Sequence, residues 1–202
     1  MGKAFTESER AAVLVKLRRT GLRLFAEKGI RGVSIRDLTA AAGIAQGGFY
    51  TFYADKDDFL ADLFELRIRE KLDELRKESR ASQVDPPVFL TELFYREGMH
   101  LRGNRVFDNL ESGTLAFYFD QGDSLHNRAA SLYRAFLEEL ADLWRAGGYT
   151  VQMDMDGLIN LIRSAGILIT NARMLDESYF NRIYRLHCEN GVRAFLKTEK
   201  PL

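Results

Sequence analysis

The stretch Ser34-Ile35-Arg36-Asp37-Leu38-Thr39-Ala40-Ala41-Ala42-Gly43-Ile44-Ala45-Gln46-Gly47-Gly48-Phe49-Tyr50-Thr51-Phe52-Tyr53 decides the fold. It reads as two short helices joined by a turn at Gly43. The Ser34 hydroxyl is suited to accept a hydrogen bond from an otherwise orphaned amide at the start of the first helix. Ile35, Leu38, Ala41 and Ala42 recur at helical spacing and supply an apolar face. Gly43 supplies the left-handed backbone that stops the helix, and Ile44 plugs the turn. In the second helix Phe49, Phe52 and Tyr53 face inward, leaving Gln46, Gly47, Tyr50 and Thr51 outward. This is the pattern of a helix-turn-helix, whose second helix has the length and polarity to lie in a DNA major groove.

Helical periodicity continues on both sides. A first helix is expected over residues 8–28, with Val13, Leu17, Gly21, Leu24 and Phe25 as its apolar stripe. Arg10, Lys16, Arg18, Arg19 and Arg23 lie mostly off that stripe, and Gly29 ends the helix. Asp55 caps a long helix over 55–80, whose second half alternates in charge as a solvated face does. Residues 81–87 read as a linker. Pro86-Pro87 opens a helix to about 102, broken by Gly103-Asn104. Further helices are expected over 105–119, 124–146, 154–175 and 177–197, about nine in all, with no convincing strand. The fold class is therefore all-α.

Net charge is zero, but it is unevenly spread. Residues 1–53 hold nine Lys/Arg against four Asp/Glu, and residues 54–202 hold 20 against 25. Phosphate binding needs local rather than overall positive charge. The single cysteine, Cys188, excludes an internal disulfide and a zinc site built on several thiolates, and it fits a reducing cytoplasm. There is no apolar run long enough for a transmembrane helix, and residues 1–10 lack the apolar core of a signal peptide. No membrane association is expected. His100, His126 and His187 are too far apart for a local metal motif, so no metal is expected, and no catalytic motif or cofactor-binding fingerprint is present.

The 154–175 helix is apolar nearly all round, through Leu158, Ile159, Leu161, Ile162, Ala165, Ile167, Leu168 and Ile169. Such a helix must be buried on all sides, and a partner subunit is an economical cover in a chain this short. The last helix is also apolar over more than one stripe. Together they are read as a four-helix homodimer interface, with Leu158, Ile162, Ala165, Ile169, Phe180, Ile183, Tyr184 and Phe195 as its residues. Aromatics are dense between residues 89 and 144, as an apolar small-molecule pocket requires. Met99, His100, Phe107, Phe117, Tyr118 and His126 are the candidate effector-binding residues.

Leu-Phe-Ala-Glu-Lys-Gly (24–29), Val-Ser-Ile-Arg-Asp-Leu-Thr-Ala-Ala-Ala-Gly-Ile (33–44), Gly-Gly-Phe-Tyr-Thr-Phe-Tyr (47–53) and Asp-Lys-Asp-Asp-Phe-Leu (55–60) resemble the N-terminal signature of TetR-type transcriptional regulators. The resemblance covers about residues 10–64; beyond it only the architecture is similar. It implies a helix-turn-helix DNA-binding domain at 1–54 and an effector-binding and dimerisation domain at 55–202. It also implies a homodimer that binds a double-stranded DNA operator and, most often, a repressor that leaves DNA when a small-molecule effector binds.

By position, the resemblance implies phosphate contacts for Ser34, Tyr50, Thr51 and Lys56, base-edge contact for Arg36, and base or phosphate contact for Gln46. Gly47 is added to this set for the close backbone approach it allows. The chain departs from the family pattern at Ala45, Gln46 and Gly48, where Ser, Lys and Thr are common. Two other readings share the sequence: a DNA-binding protein on the same fold whose affinity ignores effectors, and an all-helical enzyme carrying a helix-turn-helix-like segment.

Overall fold

A computed structural model of the chain describes residues 6–102 and 124–200. The chain divides into two units, Met1–Arg67 and Ile68–Leu202. In the first unit α1 (Glu7–Lys28) starts one residue before the expected position 8, because Thr6 closes a reciprocal capping box with Glu9. Gly29, at φ 72°, ends it. Leu17, Gly21, Leu24 and Phe25 are its buried face. Gly21 is a place of close approach: a methyl group there would sit 2.5 Å from the Phe59 ring.

Helix α2 (Ile35–Ala42) begins at the capping box between Ser34 and Asp37 and ends at Gly43, whose φ of 67° is the left-handed conformation the turn needs. Helix α3 is only Gln46–Phe49, one turn, with no side-chain cap at Ala45. The sequence places Tyr50 to Tyr53 in that helix too; in the structure Tyr50 to Phe52 form a turn and Tyr53 lies outside any helix. Two consecutive glycines cost a helix roughly 1 kcal/mol each relative to alanine, so the segment closes one turn and stops. The inward side chains survive the shortening. Phe49 and Tyr53 are buried, and Tyr53 packs edge-on against Phe59 of α4 (Lys56–Glu78) with ring centroids 4.9 Å apart.

The second unit contains α5 (Pro86–Arg102), α6 (Ser124–Ala146), α7 (Met155–Thr170) and α8 (Glu177–Phe195). Its core gathers Leu90, Leu93, Phe136, Leu137, Leu140, Trp144, Leu158, Leu161 and Val192. A smaller cluster holds Ala165, Phe180, Tyr184 and Cys188. Among the described residues there are eight α-helices and two 3₁₀ turns. The helix expected over 105–119 lies outside the described residues.

Two expectations are corrected here. The segment 81–87 is not a loose linker. Most of it belongs to a 3₁₀ turn (Ser79–Gln83) and the start of α5. Buried Ser82 accepts from Trp144 Nε1 at 2.6 Å, and the Tyr149 hydroxyl donates to the Gln83 and Val84 carbonyls. The chain also has strands. β1 (Thr150–Met153) pairs antiparallel with β2 (Leu196–Glu199), Thr150 opposite Glu199 and Met153 opposite Leu196. Each is four residues long, and the partner lies over forty residues away in sequence, so no local periodicity announces it.

Candidate nucleic-acid interface and effector cleft

The helix-turn-helix is fixed from inside by bonds that local patterning does not reveal. The Lys56 ammonium donates to the carbonyls of Ile30 (3.1 Å) and Val33 (3.2 Å), tying the start of α4 to the loop before α2. Arg10 donates to the Thr51 carbonyl at 3.0 Å, and its guanidinium lies over the Phe52 ring at 4.8 Å. Asp62 on α4 takes a bidentate pair from Arg18 on α1, Nε at 2.7 Å and Nη2 at 2.6 Å, and also accepts from the Tyr53 hydroxyl at 2.6 Å. Its bonds to Asp62 raise the Arg18 pKa further. Burial first, then the bond to Asp62, raises that of Tyr53. Arg10, Arg18 and Asp62 escaped the sequence reading because their partners lie 9 to 44 residues away.

Against this scaffold, Ser34, Arg36, Gln46, Gly47, Tyr50 and Thr51 are all exposed and Lys56 is half-buried. They differ in what they have left to offer. The Ser34 hydroxyl donates to the Asp37 carboxylate, and the Thr51 hydroxyl donates to the Gly48 carbonyl at 2.7 Å. Each must give up that bond to donate to a phosphate oxygen, which only accepts. Lys56 has committed two of its three donors. Gly47 has no atom within 4 Å of the place its Cβ would occupy, so backbone is openly presented there. Asp37 is held below the usual carboxylate range by the side-chain bond from Ser34 and then by the backbone one.

In the second unit an open cleft of about 570 Å3 is lined by Glu92, Tyr95, Arg96, Met99, His100 and Arg185. Met99 and His100, two of the expected effector-binding residues, line this cleft. Phe107, Phe117 and Tyr118, and the side chain of His126, lie outside the described residues. The cleft is charged and open, unlike the enclosed apolar pocket that small molecules prefer. Arg185 pairs bidentately with Glu92 and lies 4.2 Å over the Tyr95 ring. Burial pushes the Cys188 thiol up to about 11, which leaves it protonated and inert at neutral pH. His187 shares a hydrogen bond with Ser164. Among the described residues no group of three or more His, Cys, Asp or Glu could hold a metal ion, and no helix is long and apolar enough to cross a membrane.

The residues expected at a subunit interface differ in burial within the chain. Leu158, Ala165, Phe180 and Tyr184 are buried within the chain itself, where they form its core. Ile162, Ile169 and Phe195 are half-buried, and only Ile183 of the set is exposed. The exposed apolar side chains of α7 and α8 are instead Ile167, Tyr179, Ile183 and Leu186. The last three are spaced i, i+4, i+7 and form one stripe on α8. Periodicity showed that both helices are apolar on several sides, but not which side is filled from within.

The family model described as bacterial regulatory proteins, tetR family, matches residues 17–63. The HTH-type transcriptional regulator YwcC of Bacillus subtilis (strain 168) is 37% identical over 65 residues, covering 29% of this chain and 29% of its own. The HTH-type transcriptional regulator AcrR of Shigella flexneri is 31% identical over 67 residues, covering 33% and 31%. The match therefore spans about three tenths of the length of these curated relatives. Among solved structures, FadR of Bacillus subtilis in complex with stearoyl-CoA superposes with a TM-score of 0.61 at 16% identity, covering 88% of this chain and 97% of that one. At that identity the likeness is one of fold. The matched N-terminal segment is similar to that of the tetR family of bacterial regulatory proteins, and the fold is like that of a TetR transcription regulator from Haloarcula marismortui, with a TM-score of 0.62 at 18% identity over 93% of this chain and 100% of that one.

Proposed function

We propose that this chain is a homodimeric repressor that reads a palindromic DNA operator and leaves it when a small-molecule effector binds in the second unit. The observation that carries the reading is the capped, internally braced helix-turn-helix with Arg36, Gln46, Gly47 and Tyr50 exposed on it. Arg36 reads a guanine edge and Gln46 an adenine edge through paired bonds. Tyr50 fixes register on a phosphate. Ser34, Thr51 and Lys56 are secondary phosphate contacts, because their hydrogen-bonding capacity is already partly used. Residues 1–54 form the DNA-binding domain and 55–202 the effector and dimer domain.

Two subunits pair through the exposed stripe of Tyr179, Ile183 and Leu186 with Ile167. A dimer places its recognition segments in successive major grooves. The proposed effector contacts are Met99, His100, Phe107, Phe117, Tyr118 and His126. It acts through unequal affinity for the DNA-competent and DNA-incompetent conformers. The protein works in the cytoplasm.

Selection of bound sequences from random duplexes tests the reading. Enrichment of a motif with two inverted half-sites is the expected result. Diffuse enrichment that vanishes with added salt leaves only nonspecific phosphate binding and overturns it. Release of the selected duplex by a compound, in a mobility-shift titration over a metabolite panel, then identifies the effector.

A further inference from the structure

We propose that Asp62 is a positioning residue for the recognition segment: through Arg18 and Tyr53 it sets where α3 and the turn after it stand. The proposal rests on the DNA-binding reading above. Local forces do little to hold α3, which is one turn long, has no side-chain cap, and contains Gly47-Gly48. What holds it is on its C-terminal side. Phe49, its last residue, is fully buried, and its ring meets Tyr53 at 5.5 Å and Phe59 at 5.7 Å. Tyr53 is itself buried, with its ring fixed against Phe59 and its hydroxyl fixed by Asp62.

The Asp62 carboxylate is the meeting point of three elements. Arg18 comes from α1, Tyr53 from the turn after α3, and Asp62 stands on α4. Arg18 engages both carboxylate oxygens, which fixes the plane of the carboxylate, and Oδ2 then accepts from Tyr53 in that fixed plane. The arginine and aspartate side chains are only 28% and 25% exposed, so water competes weakly for these bonds. The consequence is a chain of contacts from α1 through Asp62 and Tyr53 to Phe49, ending under the residues proposed to face DNA. Without it the ring of Tyr53 keeps its apolar contacts but loses its rotational stop, and the one-turn helix loses its fixed tilt.

Tyr53→Phe and Asp62→Asn in the full-length protein test this. Tyr53→Phe keeps the ring and removes one bond; Asp62→Asn keeps the shape and removes the charge. Amide hydrogen exchange is followed at residues 46–53 and, as a reference, at residues 17–25 of α1. Affinities are measured for the selected duplex and for a scrambled one. The expected result is at least tenfold faster exchange at 46–53 with the reference unchanged, together with at least a tenfold fall in the ratio of specific to nonspecific affinity.

A purely structural role predicts something else: exchange that rises equally in both segments, or a lowered melting temperature with the affinity ratio intact. Either outcome overturns the proposal. Should Asp62→Asn fail to fold, Tyr53→Phe carries the test. Should the wild-type protein select no motif, the DNA-reading proposal fails, while the exchange comparison still decides whether Asp62 holds the segment.

Discussion

The Lys56 ammonium bridges two carbonyls at the entrance to α2, and its loss leaves both without their donor. Lys56→Met is expected to destabilise the first unit by about 1–3 kcal/mol, read as a lowered urea midpoint, before any effect on DNA is considered. Arg36 and Gln46 lack such internal commitments among the described bonds. Arg36→Ala and Gln46→Ala are expected to relax sequence preference at particular base pairs, each by about 1–3 kcal/mol of discrimination, while Tyr50→Phe weakens binding to all sequences alike. Repeating the selection with each variant distinguishes these outcomes. An unchanged motif for both Arg36→Ala and Gln46→Ala removes them as readers.

Asp37 gives a pH dependence with a definite sign. Its folded pKa is depressed, so its capping contribution is complete above the ordinary aspartate value of about 3.9 and is lost as pH falls through the lowered folded value. Ser34→Ala is expected to flatten that acid limb in urea midpoints measured from pH 5 downward.

At the scale of the element, α3 is a test of what glycine is doing. A methyl at position 48 would meet only Ile44 Cδ1 at 3.9 Å, and one at 47 would meet nothing. Gly47→Ala and Gly48→Ala are each expected to raise the stability of the first unit by up to about 1 kcal/mol. On the proposed function, Gly47→Ala is also expected to weaken DNA binding, because a Cβ there would stand in open space on the proposed recognition segment, whereas Gly48→Ala leaves binding intact. Thermal melts and mobility shifts on the same samples check both halves.

Legibility differed from element to element for physical reasons. The starts of α2 and α4, the stop at Gly29 and the turn at Gly43 were readable because capping chemistry is local. The shortness of α3 was not, since Gly-Gly signals weakness without fixing a length. The strand pair was invisible because its stability lies in a partner far along the chain. The ties of Arg10, Arg18 and Lys56 were hidden for the same reason. At the candidate site the exposed residues were found, but their prior commitments, such as Thr51 to the Gly48 carbonyl, were not.

For the whole molecule, the decisive question is which apolar surface is core and which is contact. Phe180 is fully buried beneath a stacked Tyr184 ring and the guanidinium of Arg102. Ile183, one turn on, is exposed. Phe180→Ala is expected to cost about 3–5 kcal/mol of folding stability. The pair Ile183→Glu with Leu186→Glu is expected instead to leave folding intact and halve the sedimenting mass. Equal sedimentation of that variant and the wild type removes the α8 stripe as an interface.

Trp144 adds a practical consequence. It is the sole tryptophan of the chain, fully buried in the second unit with its indole nitrogen bonded to Ser82. Light absorbed at the red edge of the aromatic band is therefore emitted from one half of the molecule alone. Melting followed by that emission reports the second unit, and the circular dichroism of the same sample reports both. Any gap between the two curves measures how far the first unit opens on its own.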